Sequence, residues 1–186
     1  MDVLEWHYKG ALSEFLRARR AGDTVWVHAS PPCSDYSVAK AWHGEPADYR
    51  SADAMVKQAL RIIRAAAPDY WTLENPLGAL RKRPFMGALR RFQHLTSYCH
   101  WGRPFRKDTN IWTNVAVDLP VCRRGSECQY KRIWGRHAQY ATDRERIREG
   151  KETLSRVSLD QLYHLPQRLC THILRAALTS RTGVLN

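Results

Sequence analysis

The sequence predicts an α/β fold with a doubly wound, mostly parallel sheet. Two short runs rich in β-branched and aromatic residues, residues 24–27 and 70–73, have the composition of buried strands. The stretch between them carries an apolar face at helical spacing, and parallel strands need a crossover helix of this kind. A chain of 186 residues has the length of one domain with a sizeable core.

The first half of the chain supplies most of this pattern. Residues 2–6 predict a first strand, and residues 11–20 predict a short amphipathic helix. After the strand at 24–27, Ser51 is the candidate N-cap of a second helix, and Pro68 stops that helix before the next strand. Strands and helices therefore alternate, as a parallel sheet requires.

The second half is less regular. Residues 94–98 and 110–115 predict two further strands, and Pro166 opens a last helix whose apolar side includes Cys170. Residues 77–91 are basic and partly helical. A solvated surface and a phosphate-contacting face account for that stretch equally well.

Charge and composition narrow the function. Thirty Lys and Arg residues against eighteen Asp and Glu residues give a net charge of +12, so nucleic acid is the first candidate partner and an anionic membrane surface the second. No apolar run reaches the roughly 18 residues of a membrane span, and no amino-terminal signal pattern is present. Five cysteines without regular spacing do not resemble a secreted disulfide framework, which favours the reducing cytoplasm.

Reactive side chains follow both apolar strands. Residues 30–37, Ser-Pro-Pro-Cys-Ser-Asp-Tyr-Ser, come after the first, and residues 74–76, Glu-Asn-Pro, end the second. The carboxyl ends of parallel strands share one edge of a sheet, where such folds bind ligands. Cys33 and Glu74 are therefore a candidate catalytic pair. A buried apolar thiol and a capping carboxylate are the alternatives, but the prolines and the polar residues after Cys33 favour an exposed thiol.

These motifs resemble those of a known family. Residues 30–37 resemble the Pro-Cys loop of DNA cytosine-5 methyltransferases, and residues 74–76 resemble that family's Glu-Asn-Val motif with proline third. Residues 98–107 fall where the family has an aromatic-Gly-x-Pro lead into a basic segment that faces DNA. The resemblance implies catalytic roles for Cys33, Glu74 and Arg106, cofactor contacts from Asp2 and Pro32, and DNA contacts from Ser37 and Lys107.

The resemblance implies methyl transfer from S-adenosylmethionine to C5 of a cytosine that has been flipped out of the duplex, in a restriction-modification or phage setting. A thiolate that adds to C6 makes C5 nucleophilic, and an acid that bonds N3 stabilises the adduct. It also implies a Rossmann-like sheet of the class I methyltransferase type, here truncated at its amino end. The family's Gln-x-Arg-x-Arg motif is degenerate in residues 105–109, which lack the glutamine and one arginine.

The main departure concerns the cofactor. No G-x-G turn follows an early strand, although the family binds S-adenosylmethionine through such a turn. We therefore expect the cofactor site to need a preceding segment or a second chain that supplies the amino-terminal half, or the activity to be lost.

Residues 120–152 form a short basic insert between a catalytic core at residues 1–119 and a carboxyl-terminal helical segment at residues 153–186 that returns to the core. Basic residues alternate there with Tyr130, Trp134 and Tyr140, a composition that suits phosphate contacts and base stacking. The candidate nucleic-acid contacts are Arg123, Arg124, Lys131 and Arg132.

Three cysteines and a histidine raise the question of zinc. Cys99, Cys122, Cys128 and His137 carry the ligand types that Zn²⁺ prefers. The gap of five residues between Cys122 and Cys128 exceeds the usual two to four, so incidental thiols compete with a metal site.

Two other functions stay open. Ser-Pro-Pro followed by an aromatic is the signature of methyltransferases that act on exocyclic amino groups, but Cys33 stands at the aromatic's place and residues 74–76 have no role in that chemistry. A non-catalytic nucleic-acid-binding module would keep the fold and the basic face, and the missing glycine turn favours it.

Overall fold

The computed structural model describes residues 8–37, 40, 44, 46–123, 128–141 and 156–182. This part of the chain packs as two compact units. The first unit comprises the described residues of Met1–Phe92 together with Ile111–Asn114, and the second comprises those of Gln93–Asn110 and Val115–Asn186. No helix within the described ranges is both long enough and apolar enough to cross a membrane.

The first unit contains two helices and two paired strands. The strands run parallel, with Ala29 beside Leu73 at the carboxyl end of the pairing. The helix predicted at 11–20 is confirmed, shifted by about one turn, whereas the strand predicted at 2–6 lies outside the described residues. The elements are α1 (Tyr8–Ala18), β1 (Trp26–Ala29), α2 (Tyr49–Ala66) and β2 (Tyr70–Pro76).

Helix α2 is the crossover between the parallel strands. Its N-cap is Asp48, not Ser51 as predicted, because the Asp48 carboxylate accepts the backbone N–H of Ser51 at 3.1 Å. At the other end Ala67 adopts a left-handed conformation with φ 42°, and Pro68 then prevents the helix from continuing. The predicted stop is confirmed.

One hydrophobic cluster forms the core of the first unit. It joins the turn after β1, the buried face of α2, strand β2 and the residues that follow it, so burial of apolar surface holds the candidate catalytic loop against the sheet. Its buried members are Tyr36, Ala52, Val56, Leu73, Leu80, Met86 and Trp112.

The sheet has four strands in the order β1-β2-β4-β3, where β3 is Gln93–Ser97 and β4 is Asp108–Thr113. The α/β class is confirmed, but the prediction of a mostly parallel sheet is wrong, because the sheet is mostly antiparallel. Residues 98–107 link β3 to β4 and include a short 3-10 turn, Tyr98–Trp101. A link of about ten residues has no room for the crossover that parallel strands need.

The second unit is built from β3, the start of β4 and short helices. These helices are α3 (Gln129–Trp134), α4 (Leu159–Tyr163) and α5 (Gln167–Thr182). Pro166 precedes α5, as predicted, and its carbonyl accepts the N–H of Leu169 at 3.0 Å. Leu169, Ile173 and Ala177 form the buried stripe of α5. Cys170 is exposed, contrary to prediction, because it lies about 100° round the helix from Leu169.

Candidate functional site

Two side-chain hydrogen bonds join the ends of β1 and β2. The parallel register ends at the pair Ala29 and Leu73, so the residues that follow this pair on each chain segment lie side by side. The Ser30 hydroxyl donates to Glu74 Oε2 at 2.5 Å, and the Asn75 amide donates to the Pro31 carbonyl at 3.1 Å. The structure therefore brings together the loop that carries Cys33 and the strand end that carries Glu74.

Glu74 is 4 % exposed and Asn75 is 1 % exposed. A carboxyl group at such a depth loses its hydration, and the hydrogen bond from Ser30 replaces part of it. Pro31 and Pro32 lack backbone N–H groups. The chain therefore leaves the sheet after Ser30 without leaving N–H groups that have lost their strand partners. Pro32 itself is exposed, as a residue in contact with a ligand would have to be.

Cys33 precedes a single 3-10 turn, Ser34–Tyr36, and is partly exposed. Its carbonyl accepts the Tyr36 N–H at 3.0 Å. The next predicted contact, Ser37, closes the turn by donating its N–H to the Ser34 carbonyl at 3.2 Å. Cys33 thus lies directly before a hydrogen-bonded turn and is neither buried nor fully exposed.

Tyr36 anchors this turn from below. Its ring is buried, and its hydroxyl donates to Asp53 Oδ1 at 2.8 Å. The single N–H of Arg83 Nε is shared between Asp53 Oδ1 and Oδ2, at 3.0 and 3.1 Å, and Arg83 Nη2 donates to Oδ2 at 2.8 Å. Burial opposes ionisation of Asp53, but the hydrogen bonds from Arg83 and Tyr36 outweigh it and lower the pKa of the carboxyl. Burial, together with the bond to Asp53, raises the pKa of Tyr36.

Asp35 fixes the other side of the loop. It accepts Lys40 Nζ at 2.6 Å and the backbone N–H of Asp48 at 2.9 Å. The hydrogen bond from Lys40 is the main reason that the pKa of Asp35 is lowered. Since Asp48 caps α2, the Cys33 turn is connected to the crossover helix at its start.

Two residues before Glu74 on β2, the Thr72 hydroxyl contacts the ring nitrogens of two β1 side chains. Its hydroxyl oxygen lies 3.2 Å from Trp26 Nε1, which donates to it, and 2.7 Å from His28 Nδ1. Partial burial lowers the pKa of His28, and the negative charge of Glu74 opposes that shift. The lowered pKa favours the neutral form of His28.

The four candidate zinc ligands, Cys99, Cys122, Cys128 and His137, lie close together in the second unit. Cys99 lies in the 3-10 turn after β3, Cys122 comes two residues after Pro120, Cys128 is the N-cap of α3, and His137 comes two residues after Gly135 ends that helix. All four are buried, and their candidate ligand atoms lie within 4.8 Å of one another. This cluster is compatible with zinc.

The remaining predicted site residues of the second unit have local partners. Arg106 Nε and Nη2 donate to Asp108 Oδ1 and Oδ2 at 3.0 and 2.5 Å, and Asp108 Oδ1 also accepts the Ser97 hydroxyl at 2.5 Å. Lys107 Nζ donates to the Leu162 carbonyl at 2.8 Å and lies 4.7 Å from the centre of the Tyr98 ring. These contacts give Arg106 and Lys107 clear structural roles.

The basic insert is described in part. Arg123 and Arg132 are exposed, and Lys131 donates to the Arg123 carbonyl at 3.2 Å. Asp2 and Arg124 lie outside the described residues.

Sequence reasoning missed the residues that position the candidate pair. In the sequence, Ser30, Tyr36 and Asn75 lie in the two motifs, and Arg83 lies in the basic stretch, but nothing marks them or Asp53 as hydrogen-bond partners. A serine directly before Pro-Pro and an asparagine directly after Glu74 were the available signals. Their bonding partners are more than forty residues away in sequence, so no local pattern identifies them.

Comparison with known proteins does not assign this chain to a family. No family model matches the chain, and no curated protein matches it. One solved structure with a partial likeness is described as a DNA modification methyltransferase encoded within a prophage of E. coli. The two are 13 % identical with a TM-score of 0.39, and the match covers 64 % of this chain and 35 % of that one. The chain thus spans about a third of that protein, and a likeness this low assigns neither fold nor function.

Proposed function

We propose that this chain carries the base-activating half of a DNA cytosine-5 methyltransferase. The observation that supports this most directly is the pair of hydrogen bonds that ties the Cys33 loop to Glu74 and Asn75. It brings a partly exposed thiol on a rigid turn close in the fold to a carboxylate at the end of the neighbouring parallel strand. The resemblance of residues 30–37 and 74–76 to the family's two motifs agrees with it.

In this proposal Cys33 is the nucleophile and Glu74 the acid. The Cys33 thiolate adds to C6 of cytosine and forms a C–S bond, while N3 takes a proton from the Glu74 carboxyl. The base replaces Ser30 as the partner of Glu74 Oε2. The electron pair of the former C5–C6 double bond then makes C5 nucleophilic, so C5 binds a proton from water or another electrophile. Water takes the original C5 hydrogen as a proton, N3 returns its proton to the Glu74 carboxylate, and cleavage of the C–S bond restores the aromatic ring and releases the Cys33 thiolate.

S-adenosylmethionine is the methyl donor that the family resemblance implies, and the described residues do not fit a complete site for it. Strand β1 runs into Pro31 and Pro32 instead of a glycine turn. Gly78, the glycine beside the Cys33 turn, packs so tightly against the Tyr36 carbonyl that it leaves no cradle for a ligand. We therefore derive no methyl-transfer step and assign the cofactor to a preceding segment or to a second chain.

DNA is the proposed substrate because the chain has a charge of +12 and its candidate chemistry acts on a base. Inside a duplex C6 of cytosine is stacked, so the base has to be flipped out to reach Cys33. The basic insert at residues 120–152, with Arg123, Lys131 and Arg132, is the proposed backbone contact. Its boundaries with residues 1–119 and 153–186 stay a prediction.

The test is cofactor-free exchange of the C5 hydrogen. The purified chain is incubated, without methyl donor, with genomic DNA that carries cytosine tritiated at C5, and tritium released into water is counted. Attack of the Cys33 thiolate on C6 should release tritium from C5 into water. Cys33→Ser should abolish this release, and Glu74→Gln should slow it by about 10²- to 10⁴-fold. Cys170→Ser is the matched control, because Cys170 is an exposed cysteine on α5 that should leave release unchanged. Release that persists in Cys33→Ser would overturn the assignment.

A non-catalytic nucleic-acid-binding module is the second candidate. The observation that favours it is the lack of a glycine cradle among the described residues beside the Cys33 turn. This alternative predicts DNA binding without any release of tritium, from the wild-type chain and from Cys33→Ser alike.

A further inference from the structure

We propose that Cys99, Cys122, Cys128 and His137 bind a structural Zn²⁺ ion that holds the basic insert in place. Metal binding itself does not depend on the proposed catalytic function. By holding the insert, the ion would also present basic side chains to DNA, and this second part rests on the proposed function.

The distances around His137 match a tetrahedral metal site. His137 Nε2 lies 3.6 Å from Cys122 Sγ and 3.5 Å from Cys128 Sγ. With Zn–S of about 2.3 Å and Zn–N of about 2.0 Å, the tetrahedral angle separates a thiolate sulfur from an imidazole nitrogen by about 3.5 Å. The two distances from His137 Nε2 therefore already have the length that a central ion imposes.

Hydrogen bonding alone accounts poorly for this arrangement. An imidazole nitrogen either carries one hydrogen or offers one lone pair, so Nε2 forms one good hydrogen bond. Here two sulfur atoms lie at nearly equal distances from the same nitrogen. A single ion at the centre of the four ligand atoms explains both contacts at once.

The site is closed, which points to a structural ion. Cys99, Cys122 and His137 are each 0 % exposed and Cys128 is 1 % exposed. Four protein ligands complete the tetrahedral shell of Zn²⁺, and catalytic zinc sites instead keep one position open for water or substrate.

The surroundings orient the ligands. The Cys122 N–H donates to Ser97 Oγ at 2.9 Å, and this hydroxyl donates to Asp108 Oδ1. Tyr130 packs against the three cysteines, and its hydroxyl donates to the Gly102 carbonyl at 2.9 Å. Such outer contacts fix the geometry of metal ligands.

The four ligands bridge segments that are distant in sequence. Cys99 follows β3, whereas Cys122, Cys128 and His137 surround α3 and the basic residues on it. An ion at this point anchors a six-residue helix that is too short to be stable by itself. Arg123, Lys131 and Arg132 would thereby keep fixed positions.

The experiment measures metal in the full chain. Protein purified after growth with added zinc is dialysed against metal-free buffer, and zinc per chain is determined by atomic emission. We expect one zinc per wild-type chain and substoichiometric zinc in Cys99→Ser and Cys128→Ser. Cys170→Ser and Cys33→Ser are the matched controls, since those cysteines lie outside the cluster, and both should keep one zinc.

Replacement of zinc by Co²⁺ tests the ligands even if a serine variant fails to fold. The wild type should show the visible bands of tetrahedral cobalt and thiolate-to-cobalt charge transfer in the near ultraviolet. His137→Cys should keep the metal and strengthen the charge-transfer band, because it supplies a fourth thiolate. A wild-type chain that takes up no stoichiometric zinc or cobalt under reducing conditions, or a disulfide within the cluster in freshly isolated protein, would overturn the proposal. The tritium-exchange assay fails or succeeds separately, since Cys33 and Glu74 belong to the other unit.

Discussion

Gly78 lies directly against the carbonyl group of Tyr36. A Cβ placed on Gly78 would come within 2.1 Å of the Tyr36 oxygen and 3.1 Å of its carbonyl carbon. The same oxygen accepts the N–H of Ala79 at 2.9 Å. Only glycine lets the chain after β2 approach the Cys33 turn this closely, so the position of the proposed nucleophile depends on a residue that contributes no side chain.

Gly78→Ala should push the Cys33 turn away from β2. The contact is with backbone, which has little freedom to yield, so we expect about 1 to 3 kcal/mol of destabilisation in urea unfolding. Displacement of Cys33 should lower tritium release by about a hundredfold. Gly87→Ala is the control, since a Cβ at Gly87 meets no atom within 4 Å. Equal behaviour of the two variants would show that the close approach does not matter.

The Tyr36–Asp53–Arg83 network should carry much of the stability of the first unit. Asp53→Ala leaves the Tyr36 hydroxyl and the Arg83 guanidinium without their shared acceptor, and we expect a loss of about 3 kcal/mol. Tyr36→Phe removes one hydroxyl and should cost about 1 kcal/mol. Asp160→Ala, at an exposed pair with His164, should cost less than about 1 kcal/mol. Urea unfolding measures all three losses, provided that the slope of unfolding free energy against urea concentration stays unchanged. A small loss in Asp53→Ala would contradict the network's role.

Stability should fall as the pH drops below the ordinary histidine pKa of 6.5. Burial is the first cause that lowers the pKa of His28, His94 and His100. Protonation is therefore harder in the folded than in the unfolded chain, so the stabilisation is complete above about pH 6.5 and is lost as the pH falls through the lowered folded values. Unfolding free energy measured between pH 7.5 and pH 5, as approximate limits around that value, should decline. His94→Gln should flatten the decline, and an unchanged slope in that variant would remove His94 from the explanation.

The basic insert should determine the salt dependence of DNA binding. Each phosphate contact that is lost lowers the slope of log affinity against log salt by about 0.9. We expect Arg123→Ala, Lys131→Ala and Arg132→Ala together to flatten the slope. The control changes three exposed arginines of α2, Arg50, Arg61 and Arg64, by the same charge. If both triple variants changed the slope of log affinity against log salt equally, the insert would be an ordinary solvated surface without a special role in DNA binding.

Removal of zinc should loosen the second unit. A ligand that binds only the folded state at about a thousand times its Kd adds about 4 kcal/mol of stability. A chelator should therefore lower the unfolding midpoint and weaken DNA binding, and added Zn²⁺ should restore both. His137→Cys should respond to the chelator as the wild type does. Midpoints that do not change on chelation of metal-loaded protein would contradict the predicted role of the ion.

Much of the first unit could be predicted from local pattern. The apolar runs before Cys33 and Glu74, the helix between them and the stop at Pro68 follow from periodicity and proline chemistry, which act over a few residues. The adjacency of the two strand ends also followed, because a crossover helix makes consecutive strands parallel. These features are determined by residues that are close in sequence.

Tertiary structure alone decided the rest. The mostly antiparallel sheet depends on the short link between β3 and β4, whose partners are chosen by packing and not by strand composition. The cluster of cysteines and His137 joins Cys99 to residues more than twenty positions away, and the Tyr36–Asp53–Arg83 network joins three separate segments. The amino-acid sequence thus determined which reactive groups end each strand. The fold determined which distant groups surround them, because burial forces polar side chains to find partners wherever the chain has brought them.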